Sequence, residues 1–313
     1  MFRHLTEDFG GFEKHILRNS QSGNEFSVLP GCGALLTSCK IDGTELIDGY
    51  QNEAELIDLE FGKSLLLFPF PNRLDGGKYS FHGKNYQFPI NDPGTENAIH
   101  GLGFKTPFVI GDIETNQTSA ALTCNYSYTG INQAFPFPFK ISIRYEMTDN
   151  QFNTFLKIEN TGSSPMPAGL GWHPYFTIYA NIDEVSLQFP ELEKIEIDRR
   201  MIPTGKRTKF NGFLEPKSIN RINLDTCFYI PENCQPFKAT LDSPNGKLIY
   251  SQETGSGKFN YVQFFTPSHR RSLAIEPMTC NINAFNNGEG LIVLQPGEHL
   301  GGSCGFQFTK KIS

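Results

Sequence analysis

The sequence contains no continuous apolar run long enough to cross a membrane. A transmembrane helix needs about 18 or more apolar residues in succession, whereas the longest apolar stretch, residues 64–70, has the length of a strand and contains a proline. The first residues also lack the apolar segment of a secretory signal peptide. We therefore expect no membrane partner and a cytoplasmic location.

Dense basic blocks and paired cysteine motifs are missing as well. The chain has 27 basic and 33 acidic residues, a net charge of −6, and proteins bind nucleic acid largely by neutralising phosphates with Lys and Arg. We therefore expect no nucleic-acid partner. The seven cysteines show neither the CxxC nor the Cys/His spacing of a zinc site. They predict reduced, mostly buried thiols and no metal.

The sequence also lacks the usual signals of two large enzyme classes. It has no His-x-x-x-His pair of the kind that is typical of zinc enzymes. Its Gly-x-Ser-x-Gly match at residues 301–305 runs into a predicted strand and not into a helix, so it is not the nucleophile elbow of a serine hydrolase. The glycine-rich segments 31–33 and 255–257 lack the strand-to-helix setting of a phosphate-binding loop. We interpret both as ordinary turns.

The residues that are present predict many short strands. The 30 Gly and 20 Pro residues are spread evenly along the chain, with short alternating segments between them. Apolar residues occupy every second position of residues 139–148, which is the pattern of a strand with one buried face, and residues 152–159 complete a hairpin. Further strands are predicted over residues 26–29, 34–41, 79–88, 108–114, 122–128, 166–172, 185–189, 228–230, 247–252, 261–265, 273–275, 291–294 and 305–308.

Helical periodicity is weak, because the best helical segment, residues 51–60, is only one or two turns long. A sheet with one apolar face must cover it with another layer, and the 28 phenylalanines can fill the space between two sheets. We therefore predict an all-β protein, a large antiparallel β-sandwich with few short helices, formed by residues 1–313 as a single domain.

Five polar residues in apolar or turn-rich surroundings are candidates for a functional site. They are His100 in a glycine-flanked turn, His173 after a strand, Glu298 on a Pro-Gly turn, Arg73 after an apolar segment, and Asp225 at a strand edge. Each alone has an ordinary structural explanation. Together they provide the residue types for general acid–base chemistry on a polyhydroxylated ligand.

The order of these motifs resembles the aldose 1-epimerase (mutarotase) family. The resemblance extends from about residue 25 to residue 308. It rests on the Asn-Arg pair at residues 72–73, the Asn-Ala-Ile-His-Gly segment at 97–101, Trp-His-Pro-Tyr-Phe at 172–176, the strand around Asp225, Ala-Ile-Glu-Pro-Met-Thr at 274–279, and Leu-Gln-Pro-Gly-Glu at 294–298. The implied fold is the galactose mutarotase-like supersandwich. The implied activity is interconversion of the α and β anomers of a free hexose, without a cofactor or metal.

The resemblance also implies roles for individual residues. Glu298 would take the proton from the C1 hydroxyl, His173 would protonate the ring oxygen, and His100 would assist near that oxygen. Sugar hydroxyls would be held by a substrate-binding set: Arg73, Asp225 and Asn72. Glu276 lies in a matching motif without an assigned role.

Three alternative functions remain open at this point. A hexose-6-phosphate 1-epimerase would carry an arginine four residues after His100, where this chain has Phe104 with Lys105 beside it. A non-catalytic carbohydrate-binding module could use the same fold, since fold alone does not determine function. A glycoside hydrolase would need two carboxylates, for which Glu276 and Glu298 are candidates. In each case the expected partner is a small sugar, bound by a monomer or homodimer.

Overall fold

The computed structural model describes residues 1–178 and 181–311, and strands dominate its regular structure. In chain order the strands are β1 (Phe2–Phe9), β2 (Phe12–Asn19), β3 (Glu25–Leu29), β4 (Leu35–Ile41), β5 (Thr44–Glu45), β6 (Leu66–Leu67), β7 (Arg73–Leu74), β8 (Lys78–Phe81), β9 (Lys84–Gln87), β10 (Ala98–Ile99), β11 (Val109–Thr115), β12 (Ala120–Tyr128), β13 (Phe139–Met147), β14 (Gln151–Asn160), β15 (Met166–Ala168), β16 (Gly171–Trp172), β17 (Tyr175–Phe176), β18 (Ser186–Gln188), β19 (Leu192–Ile197), β20 (Pro203–Phe210), β21 (Lys217–Ser218), β22 (Asp225–Tyr229), β23 (Phe237–Asp242), β24 (Gly246–Gln252), β25 (Tyr261–Phe265), β26 (Leu273–Met278), β27 (Ile292–Leu294) and β28 (His299–Lys310).

Helical structure is confined to short segments. The two α-helices are α1 (Glu53–Asp58) and α2 (Ala284–Asn287), and single 3₁₀ turns span Glu60–Gly62, Asp75–Gly77, Ile182–Glu184 and Glu232–Cys234. No helix within residues 1–178 and 181–311 has the length and apolar character needed to cross a membrane.

Two large sheets form the body of the protein. One has nine strands in the order β11-β12-β13-β14-β28-β24-β23-β18-β21. The other has eight, in the order β20-β19-β22-β25-β26-β16-β6 with β17 also paired to β26. A five-stranded sheet, β1 to β5, and three two-stranded pairs complete the fold. The long pairs within the large sheets are antiparallel.

The core lies between the two large sheets. Alternate residues of β13 are fully buried while their neighbours are partly or fully exposed, as expected for a strand with one apolar face. Aromatic rings join the layers: Tyr145 on β13 lies 6.1 Å from Trp172 on β16, and Phe176 on β17 lies 5.3 Å from Phe306 on β28. The prediction of a large antiparallel β-sandwich is therefore confirmed.

Most predicted strands are present, with two informative differences. The segment 79–88 is two strands, β8 and β9, because the chain reverses at His82 and Gly83, both of which have positive φ. The hairpin of β1 and β2 was not predicted from the sequence. Six consecutive residues of β1 are exposed, so this strand has no alternation of apolar and polar residues to detect.

Candidate active site

A pocket of about 180 Å³ opens on the face of the eight-stranded sheet that points away from the core between the sheets. Its lining combines ionisable, amide and aromatic side chains: Phe61, Asn72, Arg73, Ile99, His100, His173, Tyr175, Asp225, Gln263, Phe265 and Glu276. Five of the six residues predicted for the site from the sequence are in this set, and Glu298 is not.

Three adjacent strands supply the polar floor of the pocket. Asp225 lies on β22, Gln263 on β25 and Glu276 on β26, and Gln263 is directly opposite Glu276 in the strand register. Successive side chains of a strand point to opposite faces of the sheet. Apolar residues on the other face of the same strands join the main core, namely Phe228, Val262, Phe264, Leu273 and Ile275. These strands are therefore buried on both faces.

Glu276 and His173 are in direct contact at the bottom of the pocket. The His173 Nε2 atom lies 3.3 Å from Glu276 Oε1, and both side chains are buried. Glu276 Oε2 and His173 Nδ1 have no hydrogen-bond partner among the residues that the structure describes. A buried polar atom without a partner is costly, so these two atoms are candidates to hydrogen-bond a ligand in the pocket.

Burial sets the protonation of this pair. It lowers the pKa of His173 to about 3. Burial, followed by the nearby Asp225 charge, raises the pKa of Glu276 well above its usual value, although Arg73 opposes this. Both shifts have the same cause, because a low-dielectric surrounding disfavours the charged form of either group. The pair therefore holds a single proton over a wide pH range.

His100 is held as a neutral imidazole at the other side of His173. Its ring centroid lies 5.3 Å from that of His173 in an edge-on arrangement. The Asn72 backbone N–H donates to His100 Nδ1 at 3.3 Å, which assigns the ring proton to Nε2. Burial lowers the pKa of His100 well below its usual value, and the neighbouring His173 and Arg73 add to this. His100 is thus a hydrogen-bond donor through Nε2.

Arg73, Asp225 and Gln263 add further hydrogen-bonding side chains to the pocket lining. Arg73 Nε donates to Asp92 at 2.8 Å, and Gln263 Nε2 donates to Asp225 Oδ1 at 2.7 Å. Asp225 remains exposed towards the pocket, yet burial by the surrounding protein raises the pKa of its carboxyl, against the opposing effect of Arg73. In residues 1–178 and 181–311, no cluster of three or more His, Cys, Asp or Glu side chains could hold a metal ion.

Aromatic rings support the site from below. The Tyr175 ring stacks on His173 at 4.9 Å between centroids, and its hydroxyl donates to the Phe61 carbonyl at 2.9 Å. Phe61 itself contacts His269 edge-on at 5.1 Å. These contacts fix the plane of the His173 ring. They also connect the ring to Phe61, which lines one side of the pocket.

Comparison with known proteins gives the family. The family model for aldose 1-epimerase matches residues 19–307. The chain belongs to the aldose 1-epimerase family. This confirms the resemblance that was based on the sequence motifs.

Individual relatives agree in length and fold. The uncharacterized protein YihR of Escherichia coli is 28% identical over 284 residues, which is 88% of each chain. A galactose mutarotase-like protein from Clostridium acetobutylicum superposes with a TM-score of 0.86 at 21% identity, over 99% of both chains. Galactose 1-epimerase from Lactobacillus acidophilus gives 0.83 at 17% identity, over 100% of this chain and 99% of the other. At these identities the structures establish the shared fold alone.

The structure corrects the predicted position of Glu298, which does not reach the pocket that contains the two histidines. Glu298 is exposed on the turn that precedes β28, in the nine-stranded sheet. Its Oε2 accepts a hydrogen bond from the Gln295 backbone N–H at 2.8 Å, and its carbonyl accepts one from the Asn160 N–H at 3.0 Å. Glu298 thus stabilises a tight turn, and the carboxyl group beside His173 belongs to Glu276.

Sequence reasoning also missed the pocket residues Gln263, Phe61 and Phe265. For Glu276 a usable signal existed, because an acidic residue within an otherwise apolar strand is almost never fully buried unless it is paired. Removal of Glu298 from the site also weakens the glycoside hydrolase hypothesis, which needed this residue as one of two carboxylates.

The turn that carries His100 depends on Gly101, and we expect Gly101→Ala to destabilise the protein. Gly101 has φ of 63°, and a Cβ atom there would lie 2.2 Å from the Phe68 carbonyl oxygen. We expect a loss of about 3 kcal/mol or more in the free energy of unfolding, from the left-handed backbone and the clash together. Denaturant unfolding measures this loss.

Gly43→Ala is the matched control for this prediction. Gly43 has a similar φ of 73°, but a Cβ atom there would meet nothing within 4 Å. We expect it to lose only about 1 kcal/mol, from the backbone alone. Equal losses in the two variants would contradict the clash at Phe68.

Proposed function

We propose that this protein interconverts the α and β anomers of a free aldose by acid–base opening and closing of the sugar ring. One observation carries the proposal. A buried carboxyl group, that of Glu276, contacts the His173 imidazole, and each group retains a polar atom without a partner in a sugar-sized pocket. Acid and base side by side are what the opening of a hemiacetal requires.

The pair can perform the reaction with its single proton. When the proton moves from Glu276 to His173, the site contains a carboxylate and an imidazolium. Glu276 then takes the proton from the C1 hydroxyl while His173 gives its proton to the ring oxygen, and the bond between C1 and that oxygen breaks. Rotation about the C1–C2 bond turns the aldehyde, and the reverse transfers close the ring on its other face. The protonation of the pair is restored at each step.

The remaining pocket residues bind and orient the sugar. His100 donates through Nε2 on the same side as His173, where it can hydrogen-bond the ring oxygen or a neighbouring hydroxyl. Arg73, Asp225 and Asn72 provide donors and acceptors for the hydroxyls, which is the role that the family resemblance implies. Holding the open-chain aldehyde in place favours ring closure over release.

A neutral sugar fits the charges of this pocket better than a phosphorylated one. Arg73 is the single Lys or Arg side chain among the described residues that line it, and Arg73 already pairs with Asp92. Asp225 and Glu276 contribute two carboxyl groups to the same lining. A phosphate dianion would therefore find no unpaired Lys or Arg side chain in the pocket lining.

The direct test is polarimetry or NMR on anomerically pure α-aldoses and their 6-phosphates. We expect acceleration of mutarotation for one or more neutral aldoses and little or none for the phosphates. Faster turnover of a 6-phosphate would favour the sugar-phosphate epimerase. Sugar binding without any acceleration across the panel would favour a non-catalytic binding module.

The single-proton pair predicts a bell-shaped dependence of kcat/KM on pH. As pH falls, kcat/KM should stay constant until the pH approaches the pKa of His173, about 3. On the alkaline side it should fall as the pair loses its proton, with the raised pKa of Glu276. Asp225→Asn should move the alkaline limb to lower pH, because removing a negative charge lowers the pKa of a nearby carboxyl. A limb that stays in place or moves upward would contradict this coupling.

A further inference from the structure

A second cavity of about 160 Å³ lies beside the active-site pocket on the same face of the eight-stranded sheet. Arg73, Asp225 and Gln263 line both cavities. The other residues of the second cavity come from β19, the turn after it, β22 and the segment after β26: Lys194, Ile195, Ile197, Met201, Thr226, Cys227 and Ile282. We call this space the side cavity.

The side cavity is apolar at the end away from the active site. Ile195, Cys227 and Ile282 are buried in one small apolar cluster, against which Ile197 packs. The polar residues Arg73, Asp225 and Gln263 are at the shared boundary, and Lys194 and Thr226 add two further polar side chains to the lining. A second sugar ring would place several hydroxyls against aliphatic side chains, and each polar group buried without a partner is costly. The apolar cluster therefore suits an alkyl or acyl group.

The order of the strands fixes which end of a bound sugar faces the side cavity. Going outwards, Glu276 lies on β26, Gln263 on β25 and Asp225 on β22, and β19 follows. Neighbouring strands are about 4.8 Å apart, so Asp225 is roughly 10 Å from the Glu276 strand. With C1 at Glu276, the opposite end of the ring is at Asp225. A substituent there points towards β19.

We propose that the side cavity is a subsite for an apolar substituent, an O-alkyl or O-acyl chain of a few carbons, carried by the sugar at O4 or O6. The proposal rests on the proposed function for the direction of the sugar, because it places C1 at Glu276. It goes beyond that function by naming a class of substrate: aldoses with a free anomeric carbon and an apolar group at the opposite end.

A homologous series of substrates tests the subsite. We would measure kcat/KM for a hexose and its 4-O- and 6-O-methyl, ethyl, propyl and butyl ethers. Burial of a methylene group contributes about 0.8 kcal/mol, which is about a fourfold change per carbon. We expect such a rise in one of the two series until the cavity is filled. A flat or falling response in both would overturn the proposal.

Variants at Ile197 test whether the rise belongs to this cavity. Ile197 is half-buried and lies outside the set of residues that line the active-site pocket. Ile197→Trp should abolish the rise and leave kcat/KM for the parent hexose within about twofold, whereas Ile197→Ala should extend the rise to longer chains. Ile131→Trp, at a position that is 85% exposed, is the control. The same rise in Ile197→Trp as in the wild type would overturn the assignment.

Two further measurements distinguish the apolar subsite from a site for a second sugar ring, and its failure from a failure of the proposed function. Reducing disaccharides that exceed the ethers in kcat/KM would assign the cavity to a second sugar ring and overturn the apolar proposal. Binding of the same ether series built on 1,5-anhydrohexitols, which cannot open, tests the subsite without catalysis. Tighter binding of longer ethers with no mutarotation of any aldose would retain the subsite and reject the proposed function.

Discussion

Glu276→Gln is expected to lower kcat for mutarotation by about 10³-fold or more, within the range that general acid–base groups contribute. The amide has the size and shape of the carboxyl group but cannot accept the proton of the C1 hydroxyl. The unpartnered Oε2 atom of Glu276 is the one available to that hydroxyl. Polarimetry on a freshly dissolved α-aldose measures the loss, and KM should change little, because the amide still fills the same space.

The fold should tolerate this substitution. Burial raises the pKa of Glu276, so the folded protein keeps this carboxyl neutral at pH values where an ordinary glutamate is already ionised. The wild type should lose stability as pH rises through that raised pKa, since the unfolded chain ionises at the ordinary value. Glu276→Gln should remove this pH dependence. Unfolding curves at two pH values would show it.

Glu298→Gln is the matched control, because the same change is made at the glutamate that the sequence favoured. Glu298 is exposed and holds a turn through Gln295, so we expect full activity. If Glu298→Gln lost activity while Glu276→Gln retained it, the assignment of the base to Glu276 would be wrong.

The difference between Glu276 and Glu298 shows which parts of the fold and of the site could be predicted from the sequence. The alternation along residues 139–148 predicts a strand whatever surrounds it, because side chains alternate at every residue. Local patterns therefore predicted most strands and the sandwich. Strand β1 was missed because six of its consecutive residues are exposed, and its hairpin with β2 was missed with it.

Active-site residues meet through sheet register, which a local pattern does not contain. Glu276 faces Gln263 because β25 and β26 pair in one register. A shift of one residue in either strand would turn that strand's side chain towards the core. Glu298 lies in a motif that is equally conspicuous in the sequence, but the strand that follows it, β28, belongs to the nine-stranded sheet. The motifs predicted the residue types of the chemistry, and the pairing of strands decided which carboxyl group meets His173.

His173→Gln is expected to lower kcat by about 10²–10³-fold and to change the direction of the pH response. In the wild type the alkaline limb falls, because the pair needs one proton. Without the imidazole, Glu276 is useful only as a carboxylate. The residual rate should therefore rise as pH increases through the pKa of Glu276. An unchanged bell shape would contradict the role of His173 as the acid.

His100→Gln provides the comparison. His100 is buried and neutral, and donates through Nε2 without exchanging its proton. We expect a smaller loss, about tenfold, and the same bell-shaped profile as the wild type. Equal losses in both variants, each with a shifted profile, would indicate that the two histidines share the proton.

The double variant Glu276→Gln/His173→Gln tests whether the contact at 3.3 Å is a functional unit. Groups that move one proton between them lose their function together, so their effects are not additive. We expect the double variant to be no more than about threefold slower than Glu276→Gln alone. A loss close to the product of the two single losses would mean that the base and the acid act independently, and that the proton that His173 delivers does not come from Glu276.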